Sequence, residues 1–175
     1  TPTWSVLSTV LFCSDLYLAY SDRNVRSISP AGILSPGFSP FPFALTSLVR
    51  SDDGAIVTGD ERGQITAYSP LFRNVEWQFT SGAAVSSLLE TDELLIAASN
   101  DHFIYALSLG SGRRIWKKRV SGRVQSMRMM GPDAVVVQPI GDSPVRVVSM
   151  KTGQSEGQMS LRLGEVAGGS AREFP

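Results

Sequence analysis

Val85-Ser86-Ser87-Leu88-Leu89-Glu90-Thr91-Asp92 lies over Leu45-Thr46-Ser47-Leu48-Val49-Arg50-Ser51-Asp52, forty residues earlier in the chain. The pattern occurs again from Leu7 to Ser14 and, more loosely, from Val124 to Met129, giving steps of 38, 40 and 39 residues. Other columns keep nearly the same spacing. Ile65 falls on Ile104, Ala67 on Ala106, Ser69 on Ser108 and Trp77 on Trp116, while Ser29-Pro30 falls on Ser69-Pro70 and Gly112 on Gly153. A period near forty residues means that each unit is one supersecondary element, which buries its apolar faces by stacking on its neighbours.

Within a unit the pattern is that of strands. In the third copy, Val85 to Leu89, Leu94 to Ala98, Phe103 to Leu109 and Arg114 to Val120 are short runs rich in Val, Ile, Leu and aromatic residues. Thr91-Asp92-Glu93, Ser99-Asn100-Asp101 and Gly110-Ser111-Gly112 separate them with turn chemistry. Adjacent residues of a strand point to opposite faces, so the neighbouring Ile115 and Trp116 call for a sheet covered on both sides. Four short antiparallel strands per unit, buried on both faces, predict an all-β chain folded as a β-propeller of four four-stranded blades. The expected blades are 7–44, 45–84, 85–123 and 124–162, within a propeller unit spanning 1–162, with 163–175 as a flexible tail rich in Gly, Ala and Ser.

The stretch Leu95 to Trp116, with Phe103-Ile104-Tyr105-Ala106-Leu107-Ser108 leading to Gly112 and Trp116, resembles the pyrroloquinoline-quinone-like propeller repeat. The second copy keeps Gly59-Asp60-Glu61-Arg62-Gly63, Ile65-Thr66-Ala67-Tyr68 and Trp77; the fourth keeps Thr152-Gly153 but has Gly157 in place of the Trp. In the first copy the last strand gives way to a Pro/Ser/Phe run, Ser35 to Phe43. The Gly-His and Trp-Asp pairs of the related WD40 repeats are absent. The resemblance implies either a quinone-dependent dehydrogenase or a cofactor-free propeller that works as a scaffold or sensor. Enzymes of this kind carry adjacent cysteines over the quinone and a calcium site. This chain has one cysteine, so the resemblance points to binding, with no cofactor expected. Relatives working outside the cytoplasm suggest, by resemblance alone, an extracytoplasmic location.

Composition narrows the choice further. The chain has 175 residues, enough to hide roughly 70% of the unfolded surface. Sixteen Lys and Arg balance sixteen Asp and Glu, so no overall field draws it to nucleic acid or an anionic membrane. The lone Cys13 excludes a disulfide framework and multi-thiolate metal sites, and the lone His102 excludes paired-histidine zinc motifs. Cys13 is expected as a small buried hydrophobe and His102 as an exposed turn residue. No apolar run is long enough for a membrane span.

Three features are candidates for function. Asp22, Asp60, Asp101 and Asp142 recur near one hairpin of successive units; a calcium rim is conceivable, but backbone-bonded turn residues are the expected reading. A basic stretch (Arg113, Arg114, Lys117, Lys118, Arg119, Arg123 and Arg128) contains no acid. It is either a patch for an anionic partner or the cationic protection of an edge strand. Strict alternation puts Arg114, Trp116 and Lys118 on one face and Arg113, Lys117 and Arg119 on the other, which splits the patch. No aromatic platform interleaves with the charges, so nucleic acid is not expected. Phe38, Phe41 and Phe43, set among Pro36, Pro40 and Pro42, cannot form a regular interior strand. They either plug the core or present rings to a partner. Trp77 and Trp116 are expected to join blade to blade.

The leading functional expectation is a non-enzymatic scaffold that binds a protein through its rim loops. Partner-binding candidates are Phe38, Phe41, Phe43, Arg113, Arg114, Lys117, Lys118, Arg119 and Arg123. The alternatives are a quinone-dependent dehydrogenase fragment and a ligand-sensing domain of a larger signalling protein. An open arc of four blades would leave end faces uncovered. Continuation into further blades of a longer chain is the first solution, a homodimer completing an eight-bladed ring the second, and closure as a small ring the third.

Overall fold

In the computed structural model, residues 6–12, 15–35, 37, 41–51, 54–91, 93–141 and 143–159 are described. Cys13, Phe38, Asp142 and the expected tail lie outside them. The described residues form antiparallel sheets of consecutive strands. The first blade holds β1 (Val6–Phe12), β2 (Asp15–Tyr20) and β3 (Val25–Ile28). The second holds β4 (Leu45–Arg50), β5 (Ile56–Asp60), β6 (Gln64–Tyr68) and β7 (Val75–Thr80). The third holds β8 (Val85–Glu90), β9 (Leu94–Ser99), β10 (Phe103–Ser108) and β11 (Arg114–Arg119), and the fourth β12 (Val124–Met130), β13 (Ala134–Pro139), β14 (Val145–Ser149) and β15 (Ser155–Met159). This is the propeller architecture, with strands running in chain order from inside to outside of each blade.

The first blade lacks a full outer strand. A single bridge, Ile28 to Leu34, stands where the fourth strand would run, braced by Ser35 N–H donating to Ser27 O at 2.8 Å. The three prolines that follow have no N–H to continue a ladder, and Gly37 takes a φ of 96°.

A one-residue shift in the ladder recurs at the start of each innermost strand, between Val6 and Ser8, Leu45 and Ser47, Val85 and Ser87, and Val124 and Ser126. These bulges turn the strand where blades crowd together. They also correct the alignment of the first copy: Val6, rather than Leu7, matches Leu45, making that step 39 residues. A slip of one residue exchanges the two faces of a strand, and strands buried on both faces, such as β5 and β9, carry no information about which of the two is right.

Innermost strands pack β1 on β4, β4 on β8 and β8 on β12. Among the described residues, β12 does not pack back on β1 in this way. Three apolar cores fill the junctions. Tyr17, Ala19 and Val25 meet Leu45, Leu48 and Ile56; Val57, Ile65 and Trp77 meet Leu95, Tyr105 and Leu107; Ile96, Ile104 and Ala106 meet Val135, Val137 and Val148. Each large aliphatic side chain removed from water here contributes about 1.5–3 kcal/mol. Among the described residues no helix is long and apolar enough to cross a membrane.

Candidate interaction surface

Polar groups that recur with the repeat are largely engaged in joining blades. Thr46 Oγ1 donates to Val85 O at 2.6 Å, and Leu88 N–H donates to Ser47 Oγ at 3.1 Å, tying β4 to β8. Trp77 Nε1–H donates to Leu109 O at 2.7 Å, and Trp116 Nε1–H to Met150 O at 2.6 Å. Each indole lies against a glycine of the next blade. A Cβ on Gly153 would stand 2.8 Å from the Trp116 ring, and one on Gly112 would overlap the Trp77 ring outright. Both glycines have φ near 67°, a backbone that L side chains rarely adopt. The Trp and Gly columns are therefore two halves of one inter-blade joint.

Among the described residues, the acidic turn residues Asp22, Asp60 and Asp101 serve their own hairpins. Asp60 Oδ1 accepts from Arg62 and Gln64 N–H, both at 2.9 Å, and Asp22 Oδ1 accepts from Asn24 N–H at 3.1 Å. Asp22 also pairs with Arg26 at 2.7 Å; that hydrogen bond outweighs the effect of burial and lowers its pKa. Asp101 does more. Its carboxylate accepts from Phe103 N–H within the turn, from Gly82 N–H in the linker entering the blade, and from the Tyr105 hydroxyl. Burial opposes the charge of Asp101, but these hydrogen bonds prevail and its pKa is lowered. Tyr105 is pushed up to about 12 by burial, by its bond to Asp101 and by that carboxylate's charge.

A pH signature follows. The folded-state pKa of Tyr105 lies above the unfolded value of about 10, so its contribution is complete below pH about 10 and is lost as pH rises toward 12. Asp101, shifted downward, contributes above its unfolded pKa of about 3.9, and this is lost as pH falls through the folded value. Tyr105→Phe is expected to cost about 1.5–3 kcal/mol near neutrality and to flatten the alkaline limb of stability. Urea unfolding measured across pH checks both.

The basic stretch occupies β11 and its flanks. Arg113, Arg114, Lys117, Arg119 and Arg123 are exposed, and Lys118 is half-buried opposite Ile104. A ladder shift between Ala106 and Leu107 sets Arg114 opposite Leu107, on the face that also carries Lys117 and Arg119. Strict alternation had assigned Arg114 to the face of Trp116 and Lys118; the bulge overrides it and gathers three cations on one side. Lys117 Nζ sits 3.8 Å from the centre of the Phe103 ring, a cation–π contact that holds the ammonium over the sheet. Ile115 is 47% exposed, and β11 is the outermost strand of its sheet. Arg113 also borders a cleft of about 480 Å³ between the second and third blades, whose lining includes Glu76 and Glu93.

The aromatic run divides. Phe41 is 8% exposed and packs edge-on against Tyr68 and Phe72, at 5.8 and 5.6 Å between ring centres. It fills the core between the first and second blades, as a plug. Phe43 is half-buried, with the Arg62 guanidinium 5.2 Å over its ring. His102 is exposed at a φ of 68° on its hairpin tip. Arg146 was not singled out by sequence; it occupies the ladder position in the fourth blade that Tyr105 holds in the third, opposite Val137 as Tyr105 is opposite Ala97.

Repeated blades, Trp–Gly joints and Asp turns correspond to a known family. The family model described as outer membrane protein assembly factor BamB matches residues 14–170. The chain belongs to this family. No curated protein matches the BamB-family chain. Among solved structures it is similar to the computationally designed Ika4 protein, with a TM-score of 0.74 at 13% identity over 86% of this chain and 94% of that one. The designed Ika8 protein matches with a TM-score of 0.74 at 16% identity, over 89% of this chain and 50% of that one. A chain of a mitotic checkpoint complex matches with a TM-score of 0.79 at 12% identity, over 91% and 52%. At these identities the likeness is one of fold. The BamB-family chain spans about half the length of the latter two.

The donor set does not fit a quinone–calcium centre of the dehydrogenase kind. One cysteine cannot form an adjacent pair, and the Asp60 and Asp101 carboxylates are held by backbone N–H groups. Among the described residues no three His, Cys, Asp or Glu side chains gather as metal ligands.

Proposed function

We propose that this BamB-family propeller is a non-enzymatic scaffold that binds an acidic segment of a protein partner along the outer edge of its third blade. The observation that carries this reading is the outermost strand β11, which carries the exposed Ile115 and has the exposed Arg113, Arg114, Lys117, Arg119 and Arg123 on it or beside its ends. Among the described residues these five cations make no ion pair. Lys and Arg on an edge strand also deter self-association, and that role is compatible with an acidic partner. An edge strand with unpaired backbone groups can accept an added strand, while opposite charges steer and register it. Arg114→Glu with Lys117→Glu should abolish partner capture and leave the thermal midpoint within a few degrees, as for other surface changes. Retained capture would remove β11 from the interface.

The partner is proposed to act outside the cytoplasm, a location supported by the family's outer-membrane description. The sheet faces at the two ends of the blade series are proposed to be covered by further blades of a longer chain, or, as the second choice, by a second copy. Light scattering on the 175-residue chain separates these, since a mass of twice 18.9 kDa identifies the homodimer.

A further inference from the structure

A notch of about 460 Å³ opens between the third and fourth blades, lined by His102, Arg119, Val120, Ser121 and Arg146. Its position is fixed by the repeat. Val120 N–H donates to His102 O at 2.9 Å, closing the end of β11 onto the hairpin tip, and Arg146 enters from β14 opposite Val137. Two guanidinium-bearing residues, an imidazole and a hydroxyl border this space, and among the described residues no acid lines it.

Arg146 makes the notch more than a basic surface. Its side chain is half-buried, and Nε is buried without a hydrogen-bond partner. Among the described residues it has no ion pair. A guanidinium withdrawn from water normally has a counter-ion, because its desolvation is otherwise uncompensated. The repeat supplies a comparison: Tyr105, at the same ladder position one blade earlier, gives its hydroxyl to a carboxylate. Replacing that neutral donor by a charged fork increases the demand for an anion at this place. The planar guanidinium pairs best with a planar two-oxygen acceptor.

We propose that the notch is a carboxylate-binding site, in which Arg146 and Arg119 clamp an Asp or Glu side chain of a bound peptide and Ser121 supplies a further donor. The peptide's origin in a protein partner rests on the functional reading above; the carboxylate chemistry rests on the notch alone. Such a site lies at the end of β11, so an acidic segment following that edge would reach it.

The test is fluorescence anisotropy with a labelled octaglutamate peptide, using octaglutamine as its uncharged match. Saturable binding of octaglutamate alone, weakened at least roughly tenfold by Arg146→Gln and by Arg119→Gln, is the expected result. Arg128→Gln, an exposed cation on β12, should leave it unchanged. Binding that survives Arg146→Gln, or that responds equally to Arg128→Gln, overturns the proposal. So does displacement by inorganic phosphate at matching concentration, which would assign the site to phosphate. Binding that emerges only in Asp142→Asn would mean that the chain's own carboxylate serves Arg146, and also overturns it. Loss of partner capture through β11 charge reversal with octaglutamate binding intact would separate the edge reading from this one.

Discussion

Trp77→Ala is expected to remove about 3–5 kcal/mol of stability, a large part of the 5–15 kcal/mol that holds a typical domain together. Three losses combine. The indole is 8% exposed, so its removal leaves a cavity in the core of the second and third blades. Its Nε1–H no longer reaches Leu109 O, which stands 2.7 Å away. The face of Gly112 also loses the ring that covers it. Because ring and glycine form one joint, Gly112→Ala should be destabilising alone through both its φ of 67° and its overlap with the ring. In the Trp77→Ala background the steric part should disappear and only the backbone penalty, of order 1 kcal/mol, remain. A double-mutant cycle by urea unfolding measures this coupling. Additive effects would mean that ring and glycine do not act together.

Phe41→Ala is expected to cost about 3–5 kcal/mol as well, while leaving partner capture unchanged in the folded fraction. The ring closes the gap left by the missing outer strand of the first blade, between Tyr68 and Phe72. Its N–H donates to Arg23 O at 3.0 Å, the same junction bond that Ser81 makes to Gly63 and Val120 to His102. The aromatic is thus inserted at a repeated position that elsewhere takes Ser or Val. Phe43→Ala, at a half-buried ring bordered by Arg62, should cost far less. Thermal unfolding of the two variants side by side checks the contrast. Intact stability in Phe41→Ala, with capture lost, would return Phe41 to the partner surface.

The strands were legible because short apolar runs recur with turn residues between them, and no competing helical pattern disturbs them. Trp77, Trp116, Gly112 and Gly153 were visible as columns. Their pairing was not, since each Trp meets the glycine of the following unit rather than its own. The Asp60 and Asp101 turns were readable because carboxylates beside tight turns have backbone N–H groups within reach. Two things escaped. Ladder shifts leave no compositional trace, so Arg114 could not be placed with Lys117 and Arg119 from alternation. Phe41 lies in a proline-rich run with no matching column, and burial there depends on Tyr68 and Phe72 arriving from another blade. Arg146 went unnoticed for a related reason: its meaning comes from the space between blades, where His102 and Arg119 also stand.

The most direct test of the account places a photo-crosslinking amino acid at Ile115, 47% exposed on the outer edge of the third blade, in the protein as it occurs in its host. The control carries the same group at Ile33, which is 70% exposed in the first blade. A discrete protein adduct from position 115 alone, rich in acidic residues at the crosslinked segment and lost in the Arg114→Glu, Lys117→Glu variant, is the predicted result. Equal adducts from both positions, or an adduct indifferent to charge reversal, would contradict a scaffold that works through this edge.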